Sequence, residues 1–479
     1  MPDSQHGGHQ QDRSHAGRRN GPRRGRSGGP RRPSRPADPA RTAAFRALMA
    51  VESEGAYANL ALSEALSHAQ LSPRDAAFAT VLVDGTARGQ GSWDAILEAV
   101  SGRRPQDLQP AVRVVLRMAC QQILATRVPL RAAVDSSVNL ARRQIGERVT
   151  GLVNAVSRKI GRHDLPGWAG ELATGDELTD LALLSCHPRW ITAEFVQRLG
   201  IEEAARALEA DNLAPVPTLV VRPGLAELSE LLDSGATACL YSPYGATRPG
   251  NPAEVPAVAQ GRAGVQDEGS QLVSLALART AQAAGSSGPW LDLCAGPGGK
   301  AALLAGMAAS DRRLLVAAEL HPHRAAMVRE ALAPIPGDHQ VLTADGRRPP
   351  WRPGSFAAVM ADVPCSGLGS LRRRPESRWR RAAGDITDLQ TLQKELLAAA
   401  VDSAMPGGTV AYVTCSPVVA ETLDVIAWAL ANLEVDLLDT PAALPEVTGA
   451  ATGPQLRCLQ LWPHRHGTDA MFCALLHRR

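Results

Sequence analysis

The sequence predicts a multidomain protein: an all-α N-terminal domain, a small α+β connector, and a C-terminal doubly wound α/β domain on a seven-stranded sheet. Three observations predict it. Apolar residues recur at helical spacing from about residue 40 to 163, the signals are mixed from 164 to 265, and from 266 short apolar runs alternate with helical stretches. At 479 residues the chain is long enough for several cores.

The first segment, residues 1–39, is rich in Arg, Gly, Pro and Ser, has almost no apolar residues, and is expected to be a disordered tail. The whole chain carries a formal charge of +3, but residues 1–36 hold nine Arg and two Asp, so the remainder is net acidic. Such a tail could hold phosphate backbones without sequence preference, or serve only as a solubilising extension; both readings stay open. No apolar h-region precedes the domains and no apolar run reaches transmembrane length, which predicts a cytoplasmic protein with no membrane partner. None of the eight cysteines forms a CxxC pair, so zinc-ribbon spacing is missing, no metal is expected, and free thiols are the default.

Over residues 40–163, Ala43, Ala44, Ala47, Leu48 and Val51 repeat at helical spacing, as do Val112, Val115, Leu116, Ala119, Ile123 and Leu124. Ser72-Pro73-Arg74-Asp75 reads as a helix start, with Ser as N-cap and Pro in the first turn. This stretch resembles the NusB-type RNA-binding helical domain at Arg74-Asp75, at Leu130-Arg131-Ala132-Ala133-Val134-Asp135 and at Gly151 to Arg158. Residues 164–180, with Pro166-Gly167, Gly170 and Gly175-Asp176, read as a linker. Beyond it, a helical pattern at Ile191–Leu199 and a β-branched run at Pro217–Arg222 predict the α+β connector, to residue 265.

In 266–479 the expected strands are Trp290–Cys294, Leu314–Glu319, Gln340–Thr343, Ala357–Asp362, Thr409–Thr414, Val435–Leu438 and Met471–Leu476. Ligands of doubly wound sheets bind beyond the carboxyl ends of the strands. The turn after Cys294, and Glu319, Asp345, Asp362 and Cys415, all fall at or just past such ends.

The turn Cys294-Ala295-Gly296-Pro297-Gly298-Gly299-Lys300 lets backbone approach a ligand closely and opens a helix whose first N–H groups are unpaired. A phosphate-binding P-loop would need Gly at Cys294 and Ser or Thr at Ala301, so it fails twice. A dinucleotide fingerprint is formally met by Gly296-x-Gly298-x-x-Ala301, and S-adenosylmethionine also suits the turn. Under either, Glu319, about twenty residues on, could bind ribose hydroxyls, and Asp345 could receive an adenine amino group.

Cys365, in Asp362-Val363-Pro364-Cys365-Ser366-Gly367, and Cys415, in Thr414-Cys415-Ser416, decide for methyl transfer over hydride transfer. Carbon 5 of cytosine takes a methyl group only after a thiolate adds to carbon 6. A base must then remove the carbon-5 proton so that the thiol can leave. A thiol of pKa about 8.5 needs an electropositive neighbour to ionise, and Lys300 is the candidate. Both cysteines are followed by Ser and then by Gly or Pro, turn chemistry expected to expose them, whereas an isolated cysteine elsewhere in the chain reads as a small buried hydrophobe. Arg372, Arg373, Arg374, Arg378, Trp379 and Arg380 follow the Cys365 loop, and Arg with an aromatic suits an RNA-binding edge.

At Asp292–Lys300, Asp362–Gly367 and Tyr412–Ser416 the chain resembles the RNA 5-methylcytosine methyltransferases, and the NusB-type domain points to their RsmB (Sun) branch. Val265–Val273 and His466–Phe472 resemble that family's lead-in and closing strand. The resemblance implies a Rossmann-like methyltransferase domain using S-adenosylmethionine on 16S ribosomal RNA, in a protein expected to be monomeric. It implies Cys415 as nucleophile and Cys365 in product release. Asp362 would touch both cofactor and cytosine, Lys300 would lie near the target base, and Cys294 to Lys300, Glu319 and Asp345 would hold the cofactor. Gly296 and Ala301 stand where Ala and Thr are common, which puts a hydroxyl contact in doubt. The rival readings are the same chemistry on transfer RNA, a non-catalytic RNA-binding assembly factor, and a nicotinamide dehydrogenase, which would leave the two thiols without a task.

Overall fold

The computed structural model describes residues 38–479, so the expected disordered tail falls almost wholly outside them. Seven helices come first: α1 (Pro39–Glu54), α2 (Ala58–Ser67), α3 (Pro73–Arg88), α4 (Gln90–Ser101), α5 (Pro110–Leu124), α6 (Leu130–Gln144) and α7 (Thr150–Ile160). The Ser72 hydroxyl accepts the Asp75 N–H at 3.2 Å and Pro73 fills the first turn of α3, where a missing N–H leaves nothing unpaired. Leu48, Leu82, Ile96, Leu116, Met118 and Ile160 meet in the core these helices enclose.

The segment expected as a linker is helical. Helices α8 (Leu165–Glu171) and α9 (Glu177–Leu184) are each opened by an aspartate N-cap: Asp164 accepts the Gly167 N–H at 2.9 Å and Asp176 the Thr179 N–H at 3.1 Å. The Gly and Pro residues that suggested a loop sit at helix starts and between helices instead. Helices α10 (Arg189–Leu199) and α11 (Ile201–Ala210) follow. A four-stranded antiparallel sheet then forms from β1 (Thr218–Val221), β2 (Thr237–Ala238), β3 (Gly245–Thr247) and β4 (Ala263–Val265) in the order β2-β3-β1-β4, with the short helices α12 (Leu228–Asp233) and α13 (Pro256–Ala259).

Helix α14 (Glu268–Ala283) leads into the large sheet. Its elements are β5 (Trp290–Asp292), α15 (Gly299–Ser310), β6 (Leu315–Glu319), α16 (Pro322–Leu332), β7 (His339–Thr343), β8 (Phe356–Asp362), α17 (Ser377–Arg380), α18 (Asp385–Ser403), β9 (Ala404–Thr414), α19 (Leu423–Asn432), β10 (Val435–Leu437), β11 (Leu459–Gln460), α20 (Pro463–His466) and β12 (Phe472–Arg478). The strand order is β10-β12-β9-β8-β5-β6-β7, with β5 to β9 parallel and β12 antiparallel to both β9 and β10. All seven expected strands are present, and the two-residue β11, too short for an apolar run to reveal, pairs with β12 as an eighth.

The sheet is covered on both faces, which is why its strands read as near-continuous apolar runs. Ala358 and Met360 point toward α14 and α15, while Val359 and Ala361 point toward α18 and α19. From β5 the strands are added outward one way through β6 and β7 and then the other way from β8, so the winding order reverses between β5 and β8. The crevice beyond their carboxyl ends is therefore the topological switch point, where such folds bind ligands. Among the described residues no helix is long and apolar enough to cross a membrane.

Leu397 on α18 is fully buried against β8 and its neighbours. Leu397→Ala is expected to lower the free energy of unfolding by about 2–5 kcal/mol, measured by urea denaturation.

Candidate active site

Three adjacent strands deliver the site: β5 the glycine turn, β8 the Cys365 loop and β9 the Cys415 loop. The turn after β5 is tied to both neighbours, Leu293 N–H donating to Met360 O at 2.9 Å and Ala295 N–H to Ala318 O at 2.9 Å. At Gly296 a Cβ would fall 2.2 Å from Glu319 Oε2, so a side chain there would require the Glu319 carboxylate to shift. Glu319 is buried and spans two loops: Oε2 accepts the Gly296 N–H at 3.1 Å and Oε1 the His321 N–H at 2.9 Å. Arg324 donates to Gly296 O at 2.5 Å. Asp345, beyond β7, is held by Arg347 at 2.8 Å; hydrogen bonds from that guanidinium and from the Arg347 N–H keep its carboxyl below its ordinary value.

Lys300 opens α15 and reaches Asp362 Oδ2 at 2.8 Å. Burial works against its charge, but Asp362, with help from Cys415 and Asp292, outweighs it and holds the ammonium above its ordinary value. Asp292, at the end of β5, is 1 % exposed, and its Oδ1 has no hydrogen-bond partner. Burial, with the charge of Asp362 added, pushes it from 3.8 up to about 7.

The two sulfurs lie 3.4 Å apart. Both cysteines are half-buried at the mouth of the crevice. Their environments push them in opposite directions. The Cys365 thiol donating to it draws Cys415 below its ordinary value, and Lys300 helps, against burial, Asp362 and Asp469. Donation to Cys415 and burial push Cys365 well up. The pair therefore favours a thiolate at Cys415 and a thiol at Cys365.

The cysteines keep partial exposure, but the serines that follow them turn inward. Ser366 and Ser416 are buried, 3.2 Å apart at their hydroxyls, and both bond to Glu421, a fully buried carboxylate. Gly369 lies so close beneath the second loop that a Cβ there would fall 2.2 Å from Ala470 O and 2.9 Å from Cys415 C.

The arginine run is corrected more deeply. Arg372 bonds Asp267 at 2.6 Å and Asp469 at 3.0 Å, both of them buried, and Arg373 pairs with Asp469 as well. Arg378 is fully buried, donating to Cys186 O and Asn212 Oδ1 at 2.9 Å. Trp379 Nε1–H bonds Ala87 O at 2.8 Å at the carboxyl end of α3, and Glu376 accepts the first N–H of α2 at 3.3 Å. Arg380 bonds Ala56 O and stacks over Tyr57 at 4.7 Å. Arg378 and Trp379 thus fasten the sheet domain to the helices before it, and Arg372 ties the start of α14 to the Asp469 loop within the sheet domain, so none of the three forms a solvated edge. The physical cause is local: helix ends and buried aspartates at this seam need donors, and the run supplies them. Arg373, Arg374 and Arg380 keep exposed surface.

Sequence reasoning missed Glu421, which carries no pattern of its own. It also passed over Asp292 as a separate group and Gln266, a buried amide with both polar atoms unpaired beside Gly299. Their signal was a polar residue inside an otherwise apolar or motif-bearing stretch.

Paired thiols at the switch point of a doubly wound sheet, beside a glycine turn, place the domain among the Rossmann-like methyltransferases. Comparison with known families agrees. The NusB family matches residues 38–162 and the 16S rRNA methyltransferase RsmB/F family matches residues 280–477. A provisionally named methyltransferase of Mycobacterium tuberculosis is 45 % identical over 95 % of this chain and 99 % of its own. The ribosomal RNA small subunit methyltransferase B of Pseudomonas putida is 32 % identical over 91 % of this chain and 98 % of its own. Among solved structures, PH0851 shares the fold with a TM-score of 0.74 at 22 % identity, covering 91 % of this chain and 99 % of that one. The chain belongs to the RsmB/F family of S-adenosylmethionine-dependent RNA methyltransferases.

The folded-state value of Asp292 lies above its unfolded one, so its contribution is intact below about pH 4 and is lost as pH rises through about 7. Asp292→Asn removes that loss. The melting temperature of the variant relative to the parent is expected to rise between pH 4 and pH 7 and level off above.

Proposed function

We propose that this protein transfers a methyl group from S-adenosylmethionine to carbon 5 of a cytosine in 16S ribosomal RNA, through a covalent bond between Cys415 and the base. The observation that carries this reading is the 3.4 Å separation of two unlike thiols beside the Lys300–Asp362 pair. The named activity of the Pseudomonas putida relative supports the small-subunit RNA as substrate.

The crevice suits the cofactor. Gly296 leaves the backbone beside Glu319 open, the first N–H groups of α15 face the turn, and the unpaired Asp292 Oδ1 supplies a buried acceptor. The segment Cys294 to Lys300, with Glu319, Asp345 and Asp362, would hold it. When bound, it supplies the electrophilic methyl group.

The chain's own groups do the rest. The Cys415 thiolate, favoured by Cys365 and Lys300, adds to carbon 6 and gives carbon 5 enamine character. Asp362 and Lys300 stand where they can hold the polar edge of the cytosine and balance the charge that develops on it. After methyl transfer Cys365, once its own proton has passed to water, takes the carbon-5 proton; the carbon 5–hydrogen electrons re-form the ring double bond, the carbon 6–sulfur bond breaks, and Cys415 leaves as thiolate. The downward shift of Cys415 suits a group that attacks and leaves as thiolate.

Bisulfite sequencing of 16S ribosomal RNA from cells lacking the protein tests the reading. One protected cytosine is expected to lose its signal and to regain it with the parent chain but not with Cys415→Ala. An unchanged profile would remove 16S RNA as the substrate.

A further inference from the structure

Glu421 lies six residues past Cys415, is fully buried, and accepts four hydrogen bonds. Oε1 accepts the Ser366 N–H at 2.7 Å and Gln393 Nε2–H at 3.0 Å. Oε2 accepts both serine hydroxyls, from Ser366 at 2.5 Å and from Ser416 at 2.5 Å. Each serine directly follows one of the two site cysteines. Gln393 also donates to Pro364 O at 3.0 Å, the residue before Cys365. The Glu421 carbonyl accepts the Tyr412 hydroxyl at 2.7 Å, and Ser416 Oγ accepts the Val418 N–H at 3.1 Å. One carboxylate therefore binds together two loops that are 50 residues apart in the chain.

A buried carboxylate is costly unless its acceptor sites are filled. Here three of the four come from the two cysteine loops, and the fourth, Gln393 on α18, also holds Pro364 of the Cys365 loop. A structural polar group would be served equally well by any donors in the core. These donors fix how far Cys365 stands from Cys415, because each sulfur lies one residue from a tethered hydroxyl.

We propose that Glu421 is a positioning residue of this site: by clamping Ser366 and Ser416 it sets the separation of the Cys365 and Cys415 sulfurs, without itself touching substrate or cofactor. The proposal rests on the cysteine roles given above. Glutamine in its place keeps the size but presents an NH2 group to donors, so at least one tether is lost and the loops part. Cys415 then loses the thiol that donates to it and is left with the cations Lys300 and Arg373 in its favour and the carboxylates Asp362 and Asp469 against it.

The test follows Cys415 alkylation by iodoacetamide against pH, read by peptide mass spectrometry, alongside single-turnover methylation of 16S RNA. Glu421→Gln is expected to move the Cys415 alkylation midpoint to higher pH. It should slow methyl transfer on the order of tenfold to a hundredfold with the cofactor KM unchanged. Ser416→Ala is expected to shift the midpoint the same way, and adding it to Glu421→Gln should cost little more, because both break one clamp. If Glu421→Gln does not fold, Ser366→Ala and Ser416→Ala carry the test by the same two readouts. An unmoved midpoint in the folded variants overturns the proposal. Methylation by a Cys415→Ala control would instead overturn the cysteine roles, and the alkylation readout, which needs no methyl transfer, keeps the two failures apart.

Discussion

The parallel pairing of β8 with β9 is the constraint on which the site depends. Asp362 lies opposite Val413, so the strands end within one residue of each other and their loops leave the sheet side by side. Three residues beyond one strand end and one beyond the other, the sulfurs meet at 3.4 Å. A slip of one residue would turn every side chain of β9 to the opposite face and carry Cys415 away from Cys365. Both faces of these strands are buried under helices, so slipping would force Val410 and Tyr412 into the packing of the opposite core, and the register is held by the core itself.

Charge follows from that geometry. Asp292, Glu319 and Asp362 end three parallel strands at one crevice, and Lys300 is the cation that α15 sends among them. Lys300 is committed to Asp362 yet close enough to Cys415 to favour its thiolate. Cys365 is held as a thiol by the same contact that helps Cys415 ionise. Two chemically identical side chains thus become unlike because one donates to the other and only one of them has the ammonium close by.

Much of this was legible in the sequence. Strands buried on both faces leave apolar runs, so the seven principal strands could be placed to within a few residues, and the cysteine loops followed from their ends. The glycine turn was legible because close backbone approach demands residues without side chains. What escaped depends on contacts between distant segments. Nothing in a run of arginines says whether its donors face water or the buried Asp267 and Asp469, and Arg372, Arg378 and Trp379 proved to be fasteners. Glu421 is one acidic residue among many until the fold brings Ser366 and Ser416 to it. Helices α8 and α9 hid behind Gly and Pro residues that fit first turns as readily as loops, and β11 is too short to leave a pattern.

In the proposed reaction Cys415 attacks and Cys365 releases. The direct measurement is the mass of each cysteine variant after incubation with 16S RNA and S-adenosylmethionine, followed by denaturation. Cys365→Ala is predicted to carry RNA bound covalently through Cys415, and Cys415→Ala to carry none. Absence of an adduct on Cys365→Ala together with continued methylation by Cys415→Ala would contradict the account.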